Sequence, residues 1–120
     1  MSSVDRDAFE RIVEEEYAAL PIAFRETMEN IRIVVEDLPP MKRRGRGLLL
    51  GEYQGIPLTR RGAEYGMYPV IPDTITLYQK NLEDLADQEG DLRRHIRETL
   101  IHEIGHYFGM SEAEIRRAGY

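Results

Sequence analysis

The chain contains no cysteine, and this absence limits its chemistry more than any other feature of its composition. Disulfide bonds, thiolate metal ligands and a cysteine nucleophile are all excluded. Any metal ion must therefore be bound by histidine, aspartate, glutamate or water.

The sequence also lacks the segments that mark secreted and membrane proteins. Its N-terminus has no apolar stretch behind a basic start, so it is not a secretory signal. No run approaches the roughly 18 apolar residues that a membrane helix needs. We therefore expect a cytoplasmic protein.

Positive charge is in short supply, with 16 lysines and arginines against 22 aspartates and glutamates and a net charge of -6. Nucleic acids and membrane surfaces are anionic, so this balance argues against binding to either. The basic loop Lys42–Arg46 is the exception, and we interpret it as a solvated loop rather than a contact to nucleic acid or to an acidic partner. The length of 120 residues predicts one domain, 1–120.

Hydrophobic periodicity and turn residues predict an α+β domain, with a small sheet packed on helices. Pro69 and Pro72 precede the last predicted strand, and proline favours an edge position. We therefore expect Ile75, Thr76, Leu77 and Tyr78 to form an edge strand, either pairing with an extended substrate peptide or lacking a partner. The predicted elements are a helix capped by Ser3 or Asp5, a short helix over 21–28, strands over 31–36, 48–53 and 75–78, a short helix over 82–88, a long helix over 92–108 capped by Asp91, and a last short helix capped by Ser111.

The strongest chemical signal is the pair His102 and His106 on the long predicted helix. Residues four apart lie on one face, so both imidazoles can bind one metal ion. Glu103 lies at the rim of that face, where it can act as a general base without binding the metal. The apolar row that includes Ile96, Leu100 and Ile104 lies on a different face, which leaves the histidines free of the core.

A third ligand is available after the helix. Gly109 follows His106 by three residues and can end the helix with a sharp turn. That turn can bring the carboxylate of Glu112 back toward the two histidines. Two histidines and one carboxylate leave one coordination position open, as in catalytic rather than structural zinc sites.

This extended motif resembles that of the zincins, whose metzincin group has H-E-x-x-H-x-x-G-x-x-H, with Glu112 in place of the last histidine. The chain is more similar to the bacterial minimal zincin-like metallopeptidase family, and the resemblance covers nearly the whole chain. It is carried by Leu20-Pro21 with Phe24, by 35–37, by 50–59, by 72–78 and by the histidine motif.

The resemblance implies a minimal zincin-like fold, with a small mixed sheet packed on helices and the zinc-site helix near the C-terminus. It implies that His102, His106 and Glu112 bind Zn2+ and that Glu103 is the general base of a zinc metallopeptidase. The substrate would be a peptide or protein. The alternative is a catalytically weak or inactive zinc-binding module for protein interaction, because the chain lacks the large second lobe that walls the peptide cleft of larger zincins.

Three further residues have an ordinary and a functional interpretation. His95 lies about 10 Å along the helix from His102, too far to bind the same metal, and we expect a surface histidine. Tyr53 and Tyr78 are expected to be half-buried aromatics of the sheet, although either hydroxyl can donate a hydrogen bond to an oxyanion.

Overall fold

The structure is a computed structural model that describes residues 4–22, 25, 31–43, 47–55 and 73–119. These residues form an α+β fold, as predicted, and none of their helices is long and apolar enough to span a membrane. The predicted helix over 21–28 lies largely outside the described residues. The elements are α1 (Arg6–Ala18), β1 (Ile31–Glu36), a 3-10 turn (Met41–Arg43), β2 (Gly51–Gln54), β3 (Asp73–Tyr78), α2 (Gln79–Glu89), α3 (Leu92–Tyr107) and α4 (Glu112–Arg117).

The three described strands form a mixed sheet in the order β1-β3-β2. β1 is parallel to β3, with Ile33 beside Ile75, and β2 is antiparallel to β3, with Tyr53 beside Ile75. The prediction that Ile75–Tyr78 forms an edge strand is therefore wrong, since β3 is paired on both sides. Pro72 precedes the strand and removes only its own N–H, so every residue of β3 can still join the ladder.

Apolar side chains from the sheet and from the helices form one hydrophobic core. The i, i+4 row of α3 packs against the sheet, as the periodicity predicted, and α3 also contacts α1, α2 and α4. The core residues are Phe9, Val13, Leu20, Val35, Ile75, Leu77, Leu82, Ile96, Leu100, Ile104 and Tyr107.

Helix boundaries follow local chemistry. The side chain of Asp5 accepts a hydrogen bond from the Ala8 N–H, and Asp91 does the same for Arg94. Both carboxylates satisfy an N–H that a helix terminus leaves free. α2 begins earlier than predicted, at Gln79, directly after β3. β2 begins later than predicted, at Gly51, and the carbonyl of Leu50 before it accepts a hydrogen bond from the Tyr78 N–H at 2.9 Å.

A set of ion pairs attaches α1 to the first half of α3. Glu16 is buried, at 8% exposed, and its carboxylate accepts hydrogen bonds from Arg93 and Arg97 at 3.2 and 3.3 Å. A buried carboxylate is tolerated only when it is paired in this way. These contacts fix the position of α3, the helix that carries the histidine motif.

Candidate metal centre

His102 and His106 lie one turn apart on α3, as predicted. Their ring centroids are 5.1 Å apart, and the two rings are nearly perpendicular at 77°. Each side chain retains about a quarter of its exposure, 26% for His102 and 28% for His106. The pair is therefore held by the helix and remains open to solvent.

The end of α3 is a Schellman motif, and it reverses the chain. Gly109 has φ +86°, in the left-handed region, its N–H donates to the His106 carbonyl, and the Met110 N–H donates to the Gly105 carbonyl. Ser111 then caps α4 in a capping box with Glu114. As a result, Glu112 lies in the first turn of α4, facing back toward α3.

This reversal brings the third predicted residue to the two histidines. Oε1 of Glu112 lies 2.9 Å from Nε2 of His102 and 2.8 Å from Nε2 of His106. The hydrogen bond from His102, together with that from His106, lowers the pKa of Glu112. Among the described residues, these three form the one cluster of histidine and carboxylate side chains that could hold a metal ion.

Hydrogen bonding fixes the orientation of the His106 ring. Its Nδ1 lies 3.1 Å from the Met110 carbonyl, which can only accept, so Nδ1 carries a proton. In the neutral ring Nε2 is then a lone pair, and it faces the carboxylate oxygen of Glu112, another acceptor. A metal ion bound here would accept the Nε2 lone pair and the carboxylate oxygen together. A histidine ligand held by a carbonyl at its second nitrogen is the usual arrangement of protein metal sites.

Glu103 lies beside this cluster and is 7% exposed. The backbone N–H of Tyr53 donates a hydrogen bond to its carboxylate. Burial raises the pKa of Glu103, while the neighbouring histidines and the Tyr53 N–H act in the opposite direction. A carboxylate with a raised pKa in a solvent-reachable cleft is suited to accept and return a proton near neutral pH.

Gly51 allows β2 to lie close to α3, a role that was not predicted from the sequence. A Cβ at Gly51 would lie 2.8 Å from Cγ2 of Thr99 and 3.0 Å from the Thr76 carbonyl oxygen. Thr99 is one helical turn before Glu103, so the close approach aligns β2 with the site. A glycine inside an apolar strand pattern is the signal that could have indicated it.

A cleft runs between β2, with the segment before it, and helices α3 and α4. It consists of two cavities of about 440 and 570 Å³, and both are lined by Leu49, Gly51, Glu103 and Glu112. Each lies within the ~300–1,000 Å³ typical of ligand sites. The wall opposite α3 is formed by β2 and the segment before it.

The remaining residues singled out in the sequence have other positions. Ile75, Thr76, Leu77 and Tyr78 line neither cavity. The hydroxyl of Tyr53 donates to Asp73 at 3.0 Å and that of Tyr78 to Glu52 at 3.2 Å. Both are sheet aromatics as expected, but only Tyr53 is half-buried, since Tyr78 is buried at 3% exposed. His95 is buried at 6% exposed, so the expectation of a surface histidine is wrong.

Residues 28–120 match the model of the zincin-like metallopeptidase family. The chain belongs to this family. Its fold is similar to that of a conserved hypothetical protein from Thermus thermophilus, with a TM-score of 0.62, 23% identity, and coverage of 88% of this chain and 94% of that one. At this identity the likeness concerns the fold alone. No curated protein matches the sequence significantly.

Family membership implies a metal ion, typically zinc, and the donor atoms fit one. Two imidazole nitrogens and a carboxylate oxygen are ligands that zinc accepts, and three protein ligands leave a position open for catalysis. Ligand atoms each about 2.0 Å from a tetrahedral zinc are about 3.3 Å apart. The Glu112 Oε1 atom lies 2.8 and 2.9 Å from the two Nε2 atoms, and the three ligand atoms all lie within 4.8 Å of one another.

Proposed function

We propose that this protein is a zinc-dependent metallopeptidase, a hydrolase that cleaves a peptide or protein substrate. The observation that carries the proposal is the convergence of Glu112 on His102 and His106 beside buried Glu103, in an open cleft. In this proposal His102, His106 and Glu112 bind zinc. The cleft supports a catalytic role over the alternative of a binding module that has lost its substrate site.

The chain's own residues divide the chemistry between them. Zinc, when bound, polarises a carbonyl group and makes a water more acidic. Glu103 is placed to accept the proton of the attacking water and to return it to the leaving amine. Its backbone hydrogen bond from Tyr53 holds the carboxylate on the cleft side of α3. His106 is kept in the metal-binding tautomer by the Met110 carbonyl.

The position of β2 along the cleft supports an extended peptide as the substrate. Among the described residues β2 pairs with β3 on one side only, and its Tyr53 N–H is directed away from β3, to Glu103. A peptide can add to such an edge through main-chain hydrogen bonds, which require no particular sequence. β2 therefore replaces β3 as the proposed substrate strand.

The test is hydrolysis of an extended peptide library by the zinc-loaded protein, compared with Glu103→Gln. We expect cleavage by the natural chain and a loss of at least about a hundredfold in the variant, the usual range for a general base. Zinc content must be equal in the two samples. Full activity in Glu103→Gln would contradict the mechanism, and no cleavage by the zinc-loaded natural chain would favour the interaction module.

A further inference from the structure

A buried histidine borders the cavity that extends from Glu103 toward the start of α3. His95 lines this cavity, yet its Nε2 is closed off from solvent and has no hydrogen-bond partner within the described part of the chain. Buried polar atoms nearly always have a partner, and an unpartnered one is destabilising. A molecule bound in the cavity can supply that partner after a small rotation of the ring.

Several of the described residues that line the same cavity are acidic. Glu89 and Glu98 line it and are exposed, and neither has an ion-pair partner among the residues that the structure describes. Glu103 and Glu112 lie at its other end. None of the described lining residues is a lysine or an arginine. Such a surface attracts a cationic group and disfavours an anionic one.

The walls between the two charged ends are apolar. Leu48, Leu49 and Leu50 line one side, and Leu85 of α2 lines the cavity as well. A ligand that matches this arrangement has a long apolar stem and a cationic, hydrogen-bond-donating head. Lysine and arginine side chains have this construction, with methylene groups that pack on apolar surface and a charged end.

The distance along α3 also requires a long side chain. His95 precedes His102 by seven residues, which is about 10 Å along the axis. A substrate backbone at the proposed metal centre therefore leaves several ångströms of cavity for a side chain to fill. A short or branched side chain would leave Nε2 of His95 without a partner.

We infer that the cavity bordered by His95 is a subsite for an arginine or lysine side chain of the substrate, next to the bond that is cut. The inference rests on the proposed function for the position of that bond. Arginine suits the subsite better than lysine, because its five N–H donors can reach an imidazole and a carboxylate together. Glu89, His95 and Glu98 would then determine specificity.

The test uses four end-blocked heptapeptides with three alanines on each side of arginine, lysine, norleucine or glutamate. Binding to the zinc-loaded full chain is measured by calorimetry, and cleavage by mass spectrometry. We expect the arginine peptide to bind at least about tenfold more tightly than the norleucine peptide, which matches its length without its charge. The glutamate peptide should bind most weakly, and added salt should reduce the difference.

Three variants assign the preference to the subsite. Glu89→Gln and Glu98→Gln should each weaken arginine binding severalfold and leave norleucine binding unchanged. The matched control is Glu14→Gln, which removes the same charge from an exposed position on α1 outside the cavity lining. An equal loss in the control would show a general charge effect and overturn the assignment.

His95→Leu separates a specificity role from a structural one. Removing an unpartnered buried nitrogen should raise or preserve the melting temperature of the peptide-free protein, while arginine binding falls and norleucine binding does not. A lower melting temperature with equal loss of both peptides would overturn the role of His95.

The two proposals fail in different ways. An arginine preference without any cleavage supports the subsite and contradicts the peptidase. Cleavage with equal binding of the arginine and norleucine peptides supports the peptidase and overturns the subsite. Absence of binding by all four peptides also overturns the subsite.

Discussion

Opposing electrostatic effects act on the carboxyl group of Glu103. Burial raises its pKa, while His106, His102 and the Tyr53 N–H favour the charged form. The net shift is upward, so desolvation is the larger effect. Burying this carboxylate lowers stability, and functional sites commonly keep such residues because function, rather than packing, determines which residue is present.

This raised pKa predicts a pH-dependent difference in the free energy of unfolding between the natural chain and Glu103→Gln. A carboxyl group whose pKa is raised on folding contributes stability that is fully present below its unfolded pKa and is lost as pH rises through the folded pKa. With metal removed by chelation, the variant should therefore become more stable relative to the natural chain as pH rises from about 4 to about 8.

Urea unfolding across this pH range measures the difference. Glu10→Gln, on α1 away from the site, is the control and should show no such trend. A difference that is constant with pH, or that grows in favour of the natural chain, would contradict a raised pKa at Glu103.

At the scale of elements, the close packing of α4 against α3 positions Glu112. A Cβ at Gly105 would lie 2.9 Å from Cγ1 and 3.0 Å from Cδ1 of Ile115, which is buried at 2% exposed. Gly105 lies between His102 and His106, so the helix is closest to α4 where the histidines are. Any side chain at this position would displace the helix that carries the third proposed ligand.

Gly105→Ala therefore tests the positioning of α4. Alanine in place of a helical glycine normally gains about 1 kcal/mol, whereas overpacking a core contact costs about 1–3 kcal/mol. We expect the second effect to exceed the first, with a net loss of stability of about 1 kcal/mol. Zinc affinity should fall by about tenfold or more, as for other changes that misorient metal ligands.

Competition with a chromophoric chelator measures the zinc affinity, and thermal unfolding measures the stability. The double variant Gly105→Ala with Ile115→Val removes one of the two clashing atoms and should recover part of both losses. A stabilised Gly105→Ala protein with unchanged zinc affinity would show that α4 is not held by this contact.

Elements with local signals were predicted from the sequence with little error. α3 begins at Leu92, directly after its predicted cap Asp91. Gly109 follows the end of α3, and Ser111 caps α4, as their conformational preferences require. β3 was predicted as a strand but misplaced in the sheet, because strand order depends on pairing between distant segments. Pro72 suggested an edge, and nothing local shows that β1 and β2 both pair with the strand that follows it.

At the scale of the whole molecule, the metal cluster was predictable and the cleft was not. His102, His106 and Glu112 lie close together in the sequence, so helix geometry and one turn are enough to bring them together. The wall of the cleft comes from residues 47–55, far earlier in the chain, and depends on the close contact at Gly51. His95 lines the same cavity as Leu48–Leu50, which are distant in the sequence, so its burial could not be predicted from its position on the helix.

Among the described residues, the site thus lies between β2 and α3. β2 supplies one wall and a backbone hydrogen bond to Glu103, while α1 and its ion pairs support α3 from another side. Cleavage, and the position of the cationic subsite next to the cut bond, both require a metal ion at the end of α3.

Metal content of the purified protein, stripped and reloaded with zinc, tests that requirement most directly. We predict one tightly held zinc per chain, lost in His102→Ala, weakened in Glu112→Ala and unchanged in His95→Leu, whose side chain lies about 10 Å away along the helix. No stoichiometric zinc in the natural chain, or equal zinc in His102→Ala, would contradict the account.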